Sequence, residues 1–332
     1  MRLLAAFVVV LFAGCDQPKS TEVQANPAPS SSAKRLEIHG HRGARGLRPE
    51  STLPAFEAAL DLEVDVLELD LQFTRDGKLV VWHDPYVFTA NCRLNQPIDG
   101  TATPFASKRP TLTRADPLAA PIVDPDTLPL LHPAVAVANQ RADQLRQLHC
   151  DRNPSPDKFP DQRPTPGELS GDDFGIIELG ELFEFVQRYA KSSSKSDAQR
   201  ANALAVGFNI ELKRSEKYPS FVPDGFDGEQ PARFERALYE SLKKHGVLAR
   251  STVQSFNHPS LWAFARLGRT TLSVLQMSGE PMFAEWAKRG ATIWSPNNKN
   301  LSMEVVQNAH GHGLRVIPYT VNDPERARAL ID

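Results

Sequence analysis

An excess of charge of either sign is missing from this sequence. Its 38 Lys and Arg face 40 Asp and Glu, a formal net charge of −2 over 332 residues. So balanced a chain has no bulk attraction for a polyanion, and it carries no nucleic-acid-binding motif, which excludes nucleic acid as a partner. Long apolar runs are missing too. The one stretch of note, Leu3 to Ala13, has eleven residues, too few to span a bilayer but suited to a signal-peptide core. Cysteine is scarce: three in the whole chain cannot make a disulfide-dense scaffold. Stability must come from a core, and 332 residues, 41% hydrophobic and 23% charged, suffice for one large domain. Small-molecule chemistry is favoured.

The N-terminal region reads as targeting rather than fold. Arg2 precedes the apolar run, and Gly14-Cys15 and a polar stretch follow it. Small residues before a cysteine resemble the bacterial lipoprotein signal, in which Cys15 would be lipidated and become the new N-terminus; Phe12 stands where Leu is commonest. Residues 1–15 are thus expected to be a signal segment. Residues 16–35, rich in Ser, Pro, Ala and Asn, are expected to be a disordered tether. Several acyl chains would hold such a protein on a membrane, on its periplasmic or cell-surface side.

An exported protein meets an oxidising compartment, so the other two cysteines, Cys92 and Cys150, are expected to pair. Closing a loop of about sixty residues would stabilise by roughly 4 kcal/mol in the chain-entropy model. Both lie in a Pro-, Asp- and Gln-rich segment, 85–170, of little periodicity. A structureless excursion of that length is uncommon without a purpose. It is expected to be an insertion folded over the mouth of a site within the domain 36–332, where it would shape substrate access.

The chemistry concentrates between His39 and His83, in HGHRGARGLRPES (39–51), VLELDLQ (66–72) and LVVWHDP (79–85). Glu68 and Asp70 are two apart in an apolar, strand-like run, so both carboxylates project from one face. Acids on the inward face of such a strand need a positive partner, and a divalent cation supplies one. In VGFNIELKRS (206–215), Glu211 and Lys213 again share a face; Glu211 would be the third acid and Lys213 a phosphate partner. Arg42 offers a planar fork to phosphate oxygens. His41 and His83 can divide proton transfers near neutral pH. Together these residues read as a metal-assisted phosphodiesterase site.

Apolar, β-branched runs at 36–40, 64–73, 206–213, 251–256, 270–277, 291–295 and 315–321 are strand candidates. Helical patterns fall at 53–62, 180–190, 231–245, 258–267, 281–289, 302–311 and 323–331, with Asn257, Ser302 and Asn322 placed as N-caps and Gly246, Gly268 and Gly290 as stops. Alternating β and α implies an α/β fold, and this count a (β/α)8 barrel with its chemistry at the C-terminal ends of the strands, where His41, Glu68, Asp70, Glu211, Lys213, Ser255, Thr320 and Asn322 fall. Leu79–His83 follows the 64–73 run across five residues, too few for a parallel crossover. It must form an antiparallel hairpin that lowers His83 toward the site. Seven parallel strands remain.

In combination and order these motifs resemble the glycerophosphodiester phosphodiesterase family. The matches are His41-Arg42-Gly43, Pro49-Glu50, Glu68/Asp70, Asp76-Gly77, His83-Asp84, Glu211/Lys213, Gln254-Ser255-Phe256 and Thr320-Val321-Asn322, across residues 36–332. Ser51 replaces the usual Asn and Tyr319 the usual Trp, and neither change removes chemistry. The resemblance implies a TIM-type barrel of the phosphatidylinositol-phospholipase-C-like kind. It also implies a final strand after the helix at 323–331, so the eighth strand is expected to be missing from a sequence that stops there. The implied reaction converts a glycerophosphodiester and water to glycerol 3-phosphate and an alcohol. Its implied cofactor is one cation, Ca2+ or Mg2+, held by Glu68, Asp70 and Glu211, with Arg42 and Lys213 on the phosphate, His41 and His83 as the acid/base pair and Glu50 behind them. A related enzyme acting on lysophospholipids or inositol phosphodiesters, and a non-catalytic surface binding protein, are the alternatives; no protein partner is implied.

Overall fold

A computed structural model describes residues 36–94 and 135–331. Cys15, expected to be lipidated, and the expected signal segment and tether lie outside the described residues. Among those residues no helix is long and apolar enough to cross a membrane.

The chain opens with β1 (His39–His41), α1 (Leu53–Asp61), β2 (Val66–Phe73) and β3 (Leu79–Val81). Then come β4 (Tyr86–Val87), β5 (Arg93–Leu94), β6 (Val135–Ala136), α2 (Ala142–Leu145) and β7 (Leu148–His149). The remainder alternates: α3 (Leu179–Tyr189), α4 (Asp197–Ala205), β8 (Gly207–Leu212), α5 (Arg233–Lys244), β9 (Ser251–Ser255), α6 (His258–Ala265) and β10 (Thr271–Gln276). It closes with α7 (Phe283–Lys288), β11 (Ile293–Pro296), α8 (Met303–Gly311), β12 (Arg315–Val316) and α9 (Pro324–Ile331).

Seven parallel strands pair in the order β1-β2-β8-β9-β10-β11-β12, with β3 antiparallel on β2. This is a curled sheet of a (β/α)8 barrel with seven strands among the described residues. Period-2 alternation builds it. Leu67, Leu69, Leu71 and Phe73 of β2 join the main apolar core with Phe56, Phe183, Phe208 and Phe234. The alternate positions Glu68, Asp70 and Gln72 are also buried, on the opposite face. Burying apolar area of this kind contributes roughly 25 cal/mol per Å².

Several boundaries differ from expectation for local reasons. Helix α4 carries no apolar stripe, since only Ala203 is buried, and the Ser196 cap, accepting from Gln199 N–H, starts it. The strand expected at 315–321 is regular only over β12. Beyond it single bonds continue, Ile317 N–H to Trp294 and Tyr319 N–H to Pro296, around Pro318, which has no N–H to give. The run at 36–40 enters the ladder only at His39, because Asp65 takes the Ile38 N–H at 2.9 Å. Asn257 and Ser302 cap α6 and α8. The first turn of α9 is capped by Asp323 rather than Asn322, its carboxylate accepting from Glu325 and Arg326 N–H. Gly268 follows α6 for want of room rather than for φ: a Cβ there would lie 2.4 Å from the Tyr239 hydroxyl.

The described part of the 85–170 insertion is ordered. Strands β4 and β6 pair, β5 and β7 pair, and Cys92 is joined to Cys150 across 58 positions. Val80, Trp82, Val87, Val137, Leu145, Leu148 and Ile176 form a second core around that disulfide. Short strands without alternation long enough to read explain why the sequence hid them.

Candidate active site

Register assembles the site. Strand β2 pairs β1 with His41 beside Glu68, and pairs β8 with Glu68 beside Asn209 and Asp70 beside Glu211. On β9, Gln254 lies beside Glu211. Parallel partners project from one face, so these side chains converge. Glu68, Asp70 and Glu211 are all buried, and one oxygen of each lies within 4.8 Å of the others. Lys213 Nζ is 2.8 Å from Glu211 and 3.6 Å from Asp70, and Arg42 Nε is 3.2 Å from Asp70. Glu68 accepts from the Arg42 backbone N–H at 3.0 Å and from Gln254 Nε2 at 3.1 Å.

Three buried carboxylates beside two cations are one positive charge short. Burial, and the Asp70 charge, push Glu68 well above its ordinary range. Burial pushes Glu211 up to about 7 against the pull of Lys213. Asp70 goes the other way: burial would raise it, but His83, Arg42 and Lys213 hold it low. A hard divalent cation fits such a set, because oxygen ligands with surplus negative charge are what it binds.

The β1–α1 loop is wound to present Arg42. Arg42 and Ser51 have φ of +53° and +61°, where non-glycine residues are strained, and Ser51 N–H donates to the Arg42 carbonyl at 3.0 Å. Gly43 has φ +79°, and a Cβ there would lie 2.7 Å from the Ala55 carbonyl carbon. Gly43→Ala is expected to destabilise by about 2 kcal/mol or more, combining left-handed strain with overpacking. A urea midpoint equal to wild type would contradict this close approach.

His41 lies beyond Arg42, its Nε2 3.8 Å from Glu68. Burial and the Arg42 charge pull it down to about 3, although 30% of its side-chain surface is still exposed. The hairpin expected from the short connection carries the other ring: Trp82 N–H donates to Asp70 O, and Gln72 Nε2 donates to His83 O at 2.8 Å. Burial lowers His83 too, but Asp70 and Asp84, the latter 2.9 Å from Nδ1, oppose it. His83 and His41 both act on the Asp70 charge, and His41 also senses that of His83. Phe256 and Tyr319 make an edge-on pair 5.7 Å apart, with Lys213 Nζ 6.0 Å from the Phe256 ring.

Other residues sort differently from the sequence reading. Ser255 is wholly buried and its hydroxyl donates to Leu212 O, a structural bond between strands. Glu50 accepts from Arg42 at 2.8 Å and pairs with Arg45. The sequence reading gave no site role to Asn209 or Arg45, and placed Gln254 only within the Gln254-Ser255-Phe256 match. Asn209 donates to Gln254 Oε1 at 3.1 Å, and Gln254 in turn holds Glu68. The signal for Asn209 was present, since it sits two before Glu211 on the same face.

The model of the glycerophosphoryl diester phosphodiesterase family matches residues 41–332. The chain belongs to that family. By that membership it is an enzyme, a phosphoric diester hydrolase. A glycerophosphodiester phosphodiesterase of Bacillus subtilis strain 168 is 25% identical over 313 residues, covering 91% of this phosphodiesterase and 82% of its relative. A structure from Silicibacter pomeroyi, assigned as a glycerophosphoryl diester phosphodiesterase, superposes with a TM-score of 0.65 at 24% identity, covering 89% of this chain and 86% of that one. An Oleispira antarctica phosphodiesterase, solved with the product sn-glycerol-3-phosphate, gives 0.58 at 18% identity over 89% and 88%. At these identities the structural likeness shows the barrel fold.

Proposed function

We propose that this phosphodiesterase hydrolyses glycerophosphodiesters to glycerol 3-phosphate and an alcohol, with one divalent cation, Ca2+ or Mg2+, and with His41 and His83 as its acid/base pair. One observation carries the reading: Glu68, Asp70 and Glu211 lie buried together with Arg42 and Lys213, His41 Nε2 lies 3.8 Å from Glu68, and the hairpin that carries His83 is bonded to the Asp70 backbone. The product named for the Oleispira protein supports the substrate class.

Glu68, Asp70 and Glu211 would hold the cation, which when bound polarises the phosphoryl group as a Lewis acid. Arg42 and Lys213, fixed by Asp70 and Glu211, take the negative charge that grows on the non-bridging oxygens. His41, kept unprotonated by burial and by Arg42, accepts the proton of the attacking hydroxyl. His83, which burial holds below its usual value against the opposing pull of Asp70 and Asp84, would give a proton to the departing alcohol oxygen as the P–O bond breaks. Attack by the substrate's own 2-hydroxyl forms a cyclic phosphate, which water then opens with the two roles exchanged.

The test is release of glycerol 3-phosphate from a panel of glycerophosphocholine, glycerophosphoethanolamine, glycerophosphoinositol and lysophosphatidylcholine. EDTA is expected to abolish turnover, and added Ca2+ or Mg2+ to restore it. Chelator-resistant turnover would remove the cation from the scheme, and turnover of lysophosphatidylcholine alone would move the substrate class to lysophospholipids.

A further inference from the structure

The insertion meets the β1–α1 loop at Arg45 and Leu47. The Arg45 guanidinium stacks on the Phe159 ring, 4.5 Å from its centroid. Gln162 Nε2 donates to the Arg45 carbonyl at 2.7 Å, and Arg163 N–H donates to the Leu47 carbonyl at 3.0 Å. Phe159 and Gln162 are themselves buried, and Asn153 Nδ2 braces the Phe159 carbonyl at 2.8 Å. Their segment starts at Cys150, which is bonded to Cys92, and Arg152 N–H donates to Asn91 O at 3.0 Å. This arm is tied down at each of these points.

What the arm grips is half of a shared ion pair. The buried Glu50 carboxylate gives one oxygen to Arg42 at 2.8 Å and the other to Arg45. Arg42 then keeps its Nε 3.2 Å from Asp70, beside the carboxylate cluster. Without Arg45 one oxygen of Glu50 would stay buried with no counter-charge. The carboxylate would have to rotate, or take a proton, and either change loosens its hold on Arg42.

We propose that Arg45 is a positioning residue for phosphodiester cleavage, clamped by Phe159 and Gln162 of the insertion, and that it sets the Arg42 guanidinium through the Glu50 carboxylate they share. This rests on the assignment of Arg42 to substrate phosphate made above. It gives the insertion a part in turnover.

The experiment measures kcat and KM for glycerophosphocholine in the full-length protein carrying Arg45→Ala, Arg45→Lys, Phe159→Ala, Gln162→Ala, and Arg45→Ala with Phe159→Ala. Arg45→Ala is expected to lower kcat by about thirtyfold and Phe159→Ala by about tenfold, while Arg45→Lys recovers part of the loss. Because both act on one ion pair, the double variant should be no slower than Arg45→Ala alone. A merely structural insertion would give multiplying losses, or losses that follow melting temperature, and would overturn the proposal. Should Arg45→Ala fold poorly, Phe159→Ala and Gln162→Ala decide, and wild-type kcat in both refutes the clamp. A crystal structure of the Arg45→Ala or Phe159→Ala protein gives a readout independent of activity. Displacement of Arg42 from Glu50 supports the proposal even if no glycerophosphodiester is turned over, and an unmoved pair refutes it.

Discussion

Replacing His41 or His83 by Ala lowers kcat by about a hundredfold to ten-thousandfold while KM changes little. Proton transfer by a placed imidazole contributes on that scale. The cations that surround the cluster, Arg42 and Lys213, cannot serve. Arg42 is held charged by Asp70 and Glu50 against the effect of burial, and Lys213 by Glu211 and Asp70. The two variants should also differ from each other. A substrate with a p-nitrophenol leaving group needs no proton on departure, so it should largely restore the His83→Ala enzyme and leave His41→Ala slow. Equal restoration of both would reverse or dissolve the assignment of roles. Near-normal glycerol 3-phosphate release by both variants would end the paired-imidazole mechanism.

The second large effect concerns the carboxylates. Glu211→Gln is expected to reduce turnover by about a hundredfold or more and to abolish the rise in melting temperature that Ca2+ or Mg2+ gives the wild type. Binding to the folded state alone stabilises by RT ln(1 + [L]/Kd), about 2.7 kcal/mol at a hundred times Kd, so the wild-type shift should be several degrees. Without a cation the variant should unfold no more easily than wild type. The amide relieves a buried site that already carries surplus negative charge, and Lys213 keeps Asp70 at 3.6 Å. A variant that retains the cation-dependent shift would remove Glu211 from the ligand set. A variant that collapses without the cation would show that Glu211 serves the fold.

Much of the site was legible because it is written in local spacing. Glu68 and Asp70, and Glu211 and Lys213, sit two apart on strands and must share a face. The five-residue connection before Leu79 admits only a hairpin, and the structure pairs β3 antiparallel to β2. Residues whose importance is purely spatial were not legible. Gln162 holds Arg45 from 117 positions away, and Gln254, although part of a motif, gave no sign that it would hold Glu68 from 186. Nothing in a Gln or a Phe marks it as the partner of a residue so remote. Helix α4 stayed hidden for a different reason: it buries one alanine and so has no periodicity to see.

The order of the motifs and the alternation of strand and helix were enough to determine the barrel, the seven parallel strands and the candidate chemistry, since backbone periods of 2 and 3.6 act within a few residues. Only the folded chain decided which carboxylates share one cluster, which cations restrain them and where the insertion rests. Those depend on strand register and on contacts between segments a hundred or more residues apart, where burial removes water and makes each charge answer to its nearest neighbour.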